Sequence, residues 1–438
     1  MFVNSSVRML ANRALYFLPL LFVVLSLMAS CSREKHMSSG FLVGVASATV
    51  NPGNENFIAG DKKNRRFAGI HDSLYVKAIA ITERERSSEA EGTIVLLTVD
   101  CIGLIYPTLL EIRQAVAQRI PKDVLDPSHI VVSSTHTHSG PDVVGLWGED
   151  QMSSGVQETY MEQLVILSAN AIEAAIKNRQ PATARYAETT FGEDWVYNIS
   201  KSEELDRSLT ILQFKDLEGK SIATLSNFAC HPTFMDGVTD QASADYLGGF
   251  YRELDAELHG MNLFLQGSIG GWVQPEHEEK TFENAMRRGR ELAREVMNSL
   301  ETSKTMDSTG VQYRSRVFSL PVSNQGFQQL SSLGVIKRQV TDSVQTEIAW
   351  FEIGSAQFVT HPGETSPIYS LESKDLMNTS GPKFILGLGM DGLGYIVTPD
   401  FFDSANHIPH SEYLTGMSID KNAGAMIMEV IEELTGNQ

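Results

Sequence analysis

Two histidines, His136 and His138, stand one residue apart in the stretch STHTHSGPD (134–142), in a chain that has only 11 histidines. Imidazole takes and gives protons near neutral pH and is the commonest protein ligand for transition metals. Read as an extended segment closed by Ser139-Gly140-Pro141, the pair presents both rings on one side, because residues two apart in a strand share a face. A lone histidine there would read as a packed core residue. The HxH pairing sets a metal or acid/base role beside that reading.

Three further stretches carry compatible groups. NFACHPTF (227–234) places His231 after an apolar run and before Pro232, HPGET (361–365) places Glu364 after a Pro-Gly turn, and LGYIVTPDFF (393–402) places Tyr395 after a glycine. Turn chemistry alone explains each proline and glycine, and Tyr395 alone reads as packing. Together they offer imidazole, carboxylate and phenol oxygen, a donor set that suits zinc with a position left for water.

The elements that must position these groups are visible as alternating patterns. Apolar, β-rich runs at 75–81, 93–99, 129–134, 209–214, 262–267, 357–361 and 383–389 alternate with helical spacing at 107–120, 156–177, 243–258, 280–300 and 419–435. This predicts an α/β fold of mixed β-sheets layered with helices. Asp100, His136, His138, His231, Gln274, Glu364 and Tyr395 fall at or just past strand ends, where open α/β sheets bind ligands. The charged stretches DKKNRR (61–66) and ERERSSEAEG (83–92) read as solvated loops. No linker or repeat interrupts residues 40–438, which read as one large domain.

The first thirty residues differ in kind. Arg8 and Arg13 precede the run ALYFLPLLFVVLSLMAS, with Cys31 directly after it. That order describes an export signal, and the cysteine makes it a bacterial lipoprotein signal, with Cys31 as the lipidated first residue of the mature chain. Residues 31–39 then form a polar tether. Residues 1–30 hold no acid, so losing them with their two arginines takes the formal charge from −19 to −21. Such an acidic surface argues against nucleic acid or anionic lipid held by charge, and leaves the lipid on Cys31 as the membrane link. Cys101 and Cys230 make neither a disulfide framework nor a CxxC zinc site, and read as a bridge or as buried thiols.

With these motifs in order, and with FAGIHDSLYVKAIAI (67–81) and SADYLGGF (243–250) beside them, the chain resembles neutral ceramidases and their bacterial relatives over nearly all of 40–435. The resemblance implies one zinc ion held by His136, His231, Glu364 and Tyr395, with His138 beside the zinc-bound water or the substrate amide. It departs in three places. Gln274, in GSIGGWVQPE (267–276), stands where those enzymes carry a catalytic serine. YNISK (197–201) lacks the arginine expected near the substrate head group. The chain ends at 438, so the expected likeness is to the catalytic domain without a C-terminal immunoglobulin-like domain.

Zinc lowers the pKa of bound water to about 7 and polarises a carbonyl, so hydrolysis needs no serine. His138 is then the proton carrier, and Gln274 or the N–H groups of Gly270-Gly271 steady the oxyanion. Those glycines read equally as a tight turn. Asp100 and Asp245 read as acceptors that orient histidines or as helix caps. The expected activity is zinc-dependent hydrolysis of an N-acyl amide, with ceramide-like lipids among the candidate substrates. The alternatives are a metallohydrolase acting on a non-sphingolipid ester or amide, and a non-catalytic metal-binding lipoprotein.

Overall fold

The computed structural model describes residues 40–276 and 279–436; the signal segment, Cys31 and the tether through residue 39 lie outside the described residues. In chain order the strands are β1 (Phe41–Thr49), β2 (Gly69–Ile70), β3 (Tyr75–Glu83), β4 (Thr93–Val99), β5 (Ile130–Ser134), β6 (Gln180–Thr190), β7 (Val196–Asn198), β8 (Ser208–Asp216) and β9 (Ser221–Phe228). They continue as β10 (Gln241–Ala242), β11 (Met261–Gln266), β12 (Val273–Pro275), β13 (Lys304–Thr305), β14 (Val311–Pro321) and β15 (Ser343–Ile353). The last are β16 (Ala356–His361), β17 (Glu364–Thr365), β18 (Lys383–Gly387) and β19 (Tyr395–Ile396). The helices are α1 (Tyr106–Ala117), α2 (Glu158–Lys177), α3 (Tyr246–Glu257), α4 (Phe282–Glu301), α5 (Gln325–Ser332), α6 (Pro367–Leu376), α7 (Ser411–Gly416) and α8 (Ala423–Thr435).

Two mixed sheets carry the fold. A nine-stranded sheet runs β11-β9-β8-β6-β1-β3-β4-β5, with β13 paired to β6, and a four-stranded sheet runs β14-β15-β16-β18. Pairs β9–β11, β4–β5 and β16–β18 are parallel, and their neighbours are antiparallel. The run TIVLLTV of β4 is buried at every position, as expected of a strand covered on both faces. One cover is α2, which packs on β1 and β3. Helices α3 and α4 pack on each other, and a side chain at Gly289 would meet the Tyr246 carbonyl at 1.9 Å, so glycine sets their approach. Against β14 and β15 lies α8, whose Ile427 and Ile431 are fully buried.

The strand expectations from 75–81 to 383–389 each meet an observed strand within a few residues. Cys101 and Cys230 are buried free thiols. The two sheets are stitched together by buried Asn227. Its Nδ2 donates to the carbonyls of Leu265 (2.9 Å) and Ile385 (2.8 Å), and its Oδ1 accepts from Ile385 N–H (3.0 Å). This ties β9 and β11 of one sheet to β18 of the other. Among the described residues no helix is long and apolar enough to cross a membrane.

Candidate metal centre

Strand β5 ends at Ser134, and the chain then turns sharply rather than continuing extended. His136 has φ +70°, in the left-handed region that non-glycine residues rarely enter. The expectation that HxH lies in a strand is therefore corrected. The two rings converge because the backbone kinks between them, with the His136 N–H on the Cys101 carbonyl and the His138 N–H on the Pro232 carbonyl. His231, just past β9, faces them. Ring centroids lie 4.9 Å apart for His136–His138 and for His136–His231, and 5.8 Å for His138–His231.

Each ring is held from behind by an acceptor on Nδ1. For His136 it is the Ile102 carbonyl, for His231 the Val273 carbonyl at 2.7 Å, and for His138 the Asp236 carboxylate at 2.9 Å. A carbonyl or carboxylate there fixes the Nδ1–H tautomer and leaves the Nε2 lone pair facing inward. The three Nε2 lone pairs are thus turned on one another and on a carboxylate. His136 Nε2 and His138 Nε2 are 3.2 Å apart, and Glu364 Oε2 lies 3.0 Å from His231 Nε2 and 3.5 Å from His136 Nε2. Acceptors at these distances repel unless a cation or extra protons lie between them. Burial disfavours an extra proton on His136, pushing it below the ordinary histidine value despite Glu364. The donor set therefore fits a metal ion, and the histidine trio has its ligand atoms within 4.8 Å of one another.

The electrostatics follow the same geometry. Burial works against the Glu364 carboxylate, but His136 and His231 outweigh it and hold its pKa far below the carboxylate range. Burial likewise opposes the charged form of His138, yet Asp236 raises its pKa on balance. Desolvation also works against the carboxylate of half-buried Asp236, but His138 outweighs it and brings its pKa down to about 2. Burial, with Glu364 nearby, drives Tyr395 well above the ordinary phenol value. The Tyr395 hydroxyl reaches Glu364 and accepts from Trp272 Nε1–H at 2.7 Å.

The second half of the site comes from a two-stranded sheet, β17–β19, formed just after strands of the four-stranded one. Glu364 in β17 pairs with Tyr395 in β19, directly after β16 and the Pro362-Gly363 turn. The structure thus gathers His136, His138, His231, Glu364 and Tyr395, and puts His138 in the same trio as the proposed ligands. Gln274 sits apart. It lies in β12, one residue after the Val273 carbonyl that holds His231, with its side chain on the hydroxyl of Tyr197 across the β7–β12 pair.

Of the two readings given to Asp100 and Asp245, the structure bears out the helix cap for Asp245 and overturns the histidine-orienting role for both. Asp245 caps α3, taking Tyr246 N–H (2.7 Å) and Met235 N–H (2.8 Å), while Asp100 takes Tyr75 N–H (2.9 Å) and the Thr135 hydroxyl (3.1 Å). Neither accepts from a histidine, and burial pushes both carboxyls up to about 6. The Gly270 N–H is committed to the Thr365 carbonyl at 2.9 Å, so it is no oxyanion donor. A Cβ at Gly270 would stand 2.6 Å from the Glu364 carbonyl, so glycine is required there by contact. Asp236 was not singled out from sequence. Followed by Gly237 and 98 residues from His138, it reads as an ordinary turn aspartate.

Residues 41–274, more than half of the chain, match the family profile described as neutral/alkaline non-lysosomal ceramidase, N-terminal. The chain belongs to that family. Neutral ceramidase B of Dictyostelium discoideum is 25% identical over 200 residues, covering 41% of this chain and 26% of that protein. Neutral ceramidase of Pseudomonas aeruginosa is 24% identical over 255 residues, covering 54% of this chain and 36% of that protein. The chain therefore matches about a quarter to a third of these relatives' length. The crystal structure of neutral ceramidase from Pseudomonas aeruginosa superposes with a TM-score of 0.73 at 17% identity, over 91% of this chain and 74% of that one. A ceramidase complexed with C2 gives 0.73 at 16% identity, over 91% and 75%. These likenesses establish the shared neutral-ceramidase fold, including the region of Glu364 and Tyr395 beyond the profile match.

Proposed function

We propose that this family member is a zinc-dependent hydrolase of amide bonds in N-acylated, ceramide-like substrates. The observation that carries the reading is the set of inward-facing Nε2 lone pairs of His136, His138 and His231 against the Glu364 carboxylate, with every Nδ1 held from behind. His136, His231, Glu364 and Tyr395 would hold the ion. Zinc there would polarise the substrate carbonyl and make water acidic enough to attack near neutral pH.

The remaining work falls to this chain's side chains. His138, steered by Asp236, takes the proton from the attacking water at Nε2 and returns it to the departing amine nitrogen as the C–N bond breaks. The products are a carboxylate and an amine, so no oxidant or further reactant enters. Gln274, in the place of the family serine, would have to turn from the Tyr197 hydroxyl to bring its amide N–H groups onto the substrate carbonyl.

One observation favours a second reading, in which the substrate head group is not that of a sphingolipid. The cation in the 197–201 segment is Lys201, and it is already paired with Glu204 (2.9 Å) and Asp400 (2.8 Å). The test compares ceramide with short N-acyl amides and esters, for wild type, Gln274→Ser and His138→Ala, each checked for zinc. Activity lost to a chelator and restored by zinc is expected, with His138→Ala reduced by roughly 10²–10⁴-fold, the usual contribution of a proton-transferring group. A fully metallated wild type silent on every amide and ester, but active as Gln274→Ser, would sink the water mechanism.

The cellular place of the enzyme is proposed on the sequence alone: export and anchoring through a lipidated Cys31, supported by the LMASC ending of the apolar run. Cys31→Ala, expressed in a Gram-negative host, should leave the membrane fraction or stall unprocessed. Mass spectrometry placing the native N-terminus elsewhere would refute the assignment.

A further inference from the structure

We propose that Trp272 is a positioning residue for the metal centre, setting the Tyr395 phenol oxygen through its indole N–H. The inference rests on the reading that Tyr395 is a ligand. Three observations meet at this residue. Its Nε1 can only donate, and it donates to the Tyr395 oxygen at 2.7 Å, while the Tyr395 hydroxyl itself is directed to Glu364. With one lone pair taken and the proton committed, the phenol oxygen has a defined place and a defined remaining lone pair.

The backbone that carries the indole lies in the left-handed region that non-glycine residues rarely enter. Trp272 has φ +61°, directly after Gly271 at φ +77°, and strained residues of this kind persist where the surroundings over-determine them. The surroundings are specific. The backbone is pinned by Ser200 N–H on the Gly271 carbonyl and Ile199 N–H on the Trp272 carbonyl, both at 3.2 Å. The indole face is covered by His410, itself at φ +58°, with ring centroids 4.6 Å apart, and by Tyr413 at 5.3 Å.

The four residues Gly270 to Val273 thus brace the centre three times. Gly270 N–H holds the backbone beside Glu364, Trp272 holds Tyr395, and the Val273 carbonyl holds His231. Two of these contacts use backbone atoms, which any sequence supplies. The third requires a side-chain donor, here the indole N–H, so position 272 is where side-chain identity matters.

The test is a cycle of Trp272→Phe, Tyr395→Phe and the double variant in the full chain. Zinc affinity is read by competition with a chromophoric chelator, and thermal midpoints are taken on metal-free protein. Partners that support a ligand from behind are worth roughly 10–100-fold in metal affinity, so Trp272→Phe should weaken zinc about 10-fold. In the Tyr395→Phe background it should add nothing. A folded Trp272→Phe that binds zinc as wild type, while Tyr395→Phe binds weakly, overturns this inference and leaves the ligand reading standing. An additive loss in the double variant also overturns it. Tyr395→Phe with wild-type affinity overturns both. Trp272→His, which keeps a ring N–H, is the second variant: affinity nearer to wild type than Trp272→Phe supports the hydrogen bond as the cause, and an equal loss refutes it.

Discussion

Replacing His231 by alanine is expected to leave the protein without stoichiometric metal and without hydrolysis. His231 is the joint of the centre. Its backbone N–H and its Nδ1 both reach the Val273 carbonyl, at 3.0 and 2.7 Å, and its Nε2 faces Glu364 Oε2 at 3.0 Å. Without the ring, the buried Glu364 carboxylate loses one of the two groups that hold its charge, and the ion loses a ligand that links the histidines to the carboxylate. The loss in rate should exceed the roughly 10²–10³-fold typical of removing one oxyanion donor, because polarisation and water activation fail together. Elemental analysis and hydrolysis of an N-acyl amide are the measurements. Full zinc occupancy in a folded His231→Ala would show that the ion, if bound, is held elsewhere.

The second large effect is on stability and lies away from the metal. Arg113 on α1 meets Glu347 on β15 in a buried two-pronged pair, Nη1 to Oε2 at 2.6 Å and Nη2 to Oε1 at 3.2 Å. Its Nη2 also donates to the carbonyls of Ser128 (2.8 Å) and Ile130 (3.0 Å), at the start of β5. Glu347→Ala leaves the guanidinium buried without its counter-charge, a change that costs about 3–5 kcal/mol when such a pair is broken from one side. Urea denaturation should show that loss, with zinc content per folded molecule unchanged. A loss under ~1 kcal/mol would mean that water or a neighbouring carbonyl takes over the pairing.

The sequence announced the chemistry better than the supports behind it. HTH, CHP, PGE and GYIVTP named the five side chains that the fold gathers, because imidazole and carboxylate beside turn residues are rare enough to notice. What orients those side chains was mostly invisible. The Ile102 and Val273 carbonyls carry no signature, since every residue has one. Asp236 looked like a turn aspartate, whereas Asp100 and Asp245 read equally as orienting groups or helix caps, and only the cap reading of Asp245 held. The kink at His136 was missed because a left-handed histidine follows an apolar strand without glycine or asparagine to announce it. Among strands, the fully buried β4 was plain, while β14 was not, since its run VQYRSRVFSLP alternates polar residues along a sheet edge.

The Asn227 stitch bears on how the molecule comes together. The histidines follow strands β5 and β9 of the nine-stranded sheet, whereas Glu364 and Tyr395 follow strand β16 and strand β18 of the four-stranded one, and Asn227 ties the two sheets together. His136 and Glu364 are separated by more than half the length of the chain. Closing so long a loop is entropically slow, so contacts of this range form after local ones. A ribosome that has released only the first sheet has produced three imidazoles without the Glu364 carboxylate that faces them. On the proposed reading, metal capture would follow the docking of the second sheet, and the centre would double as a record that the whole chain has arrived.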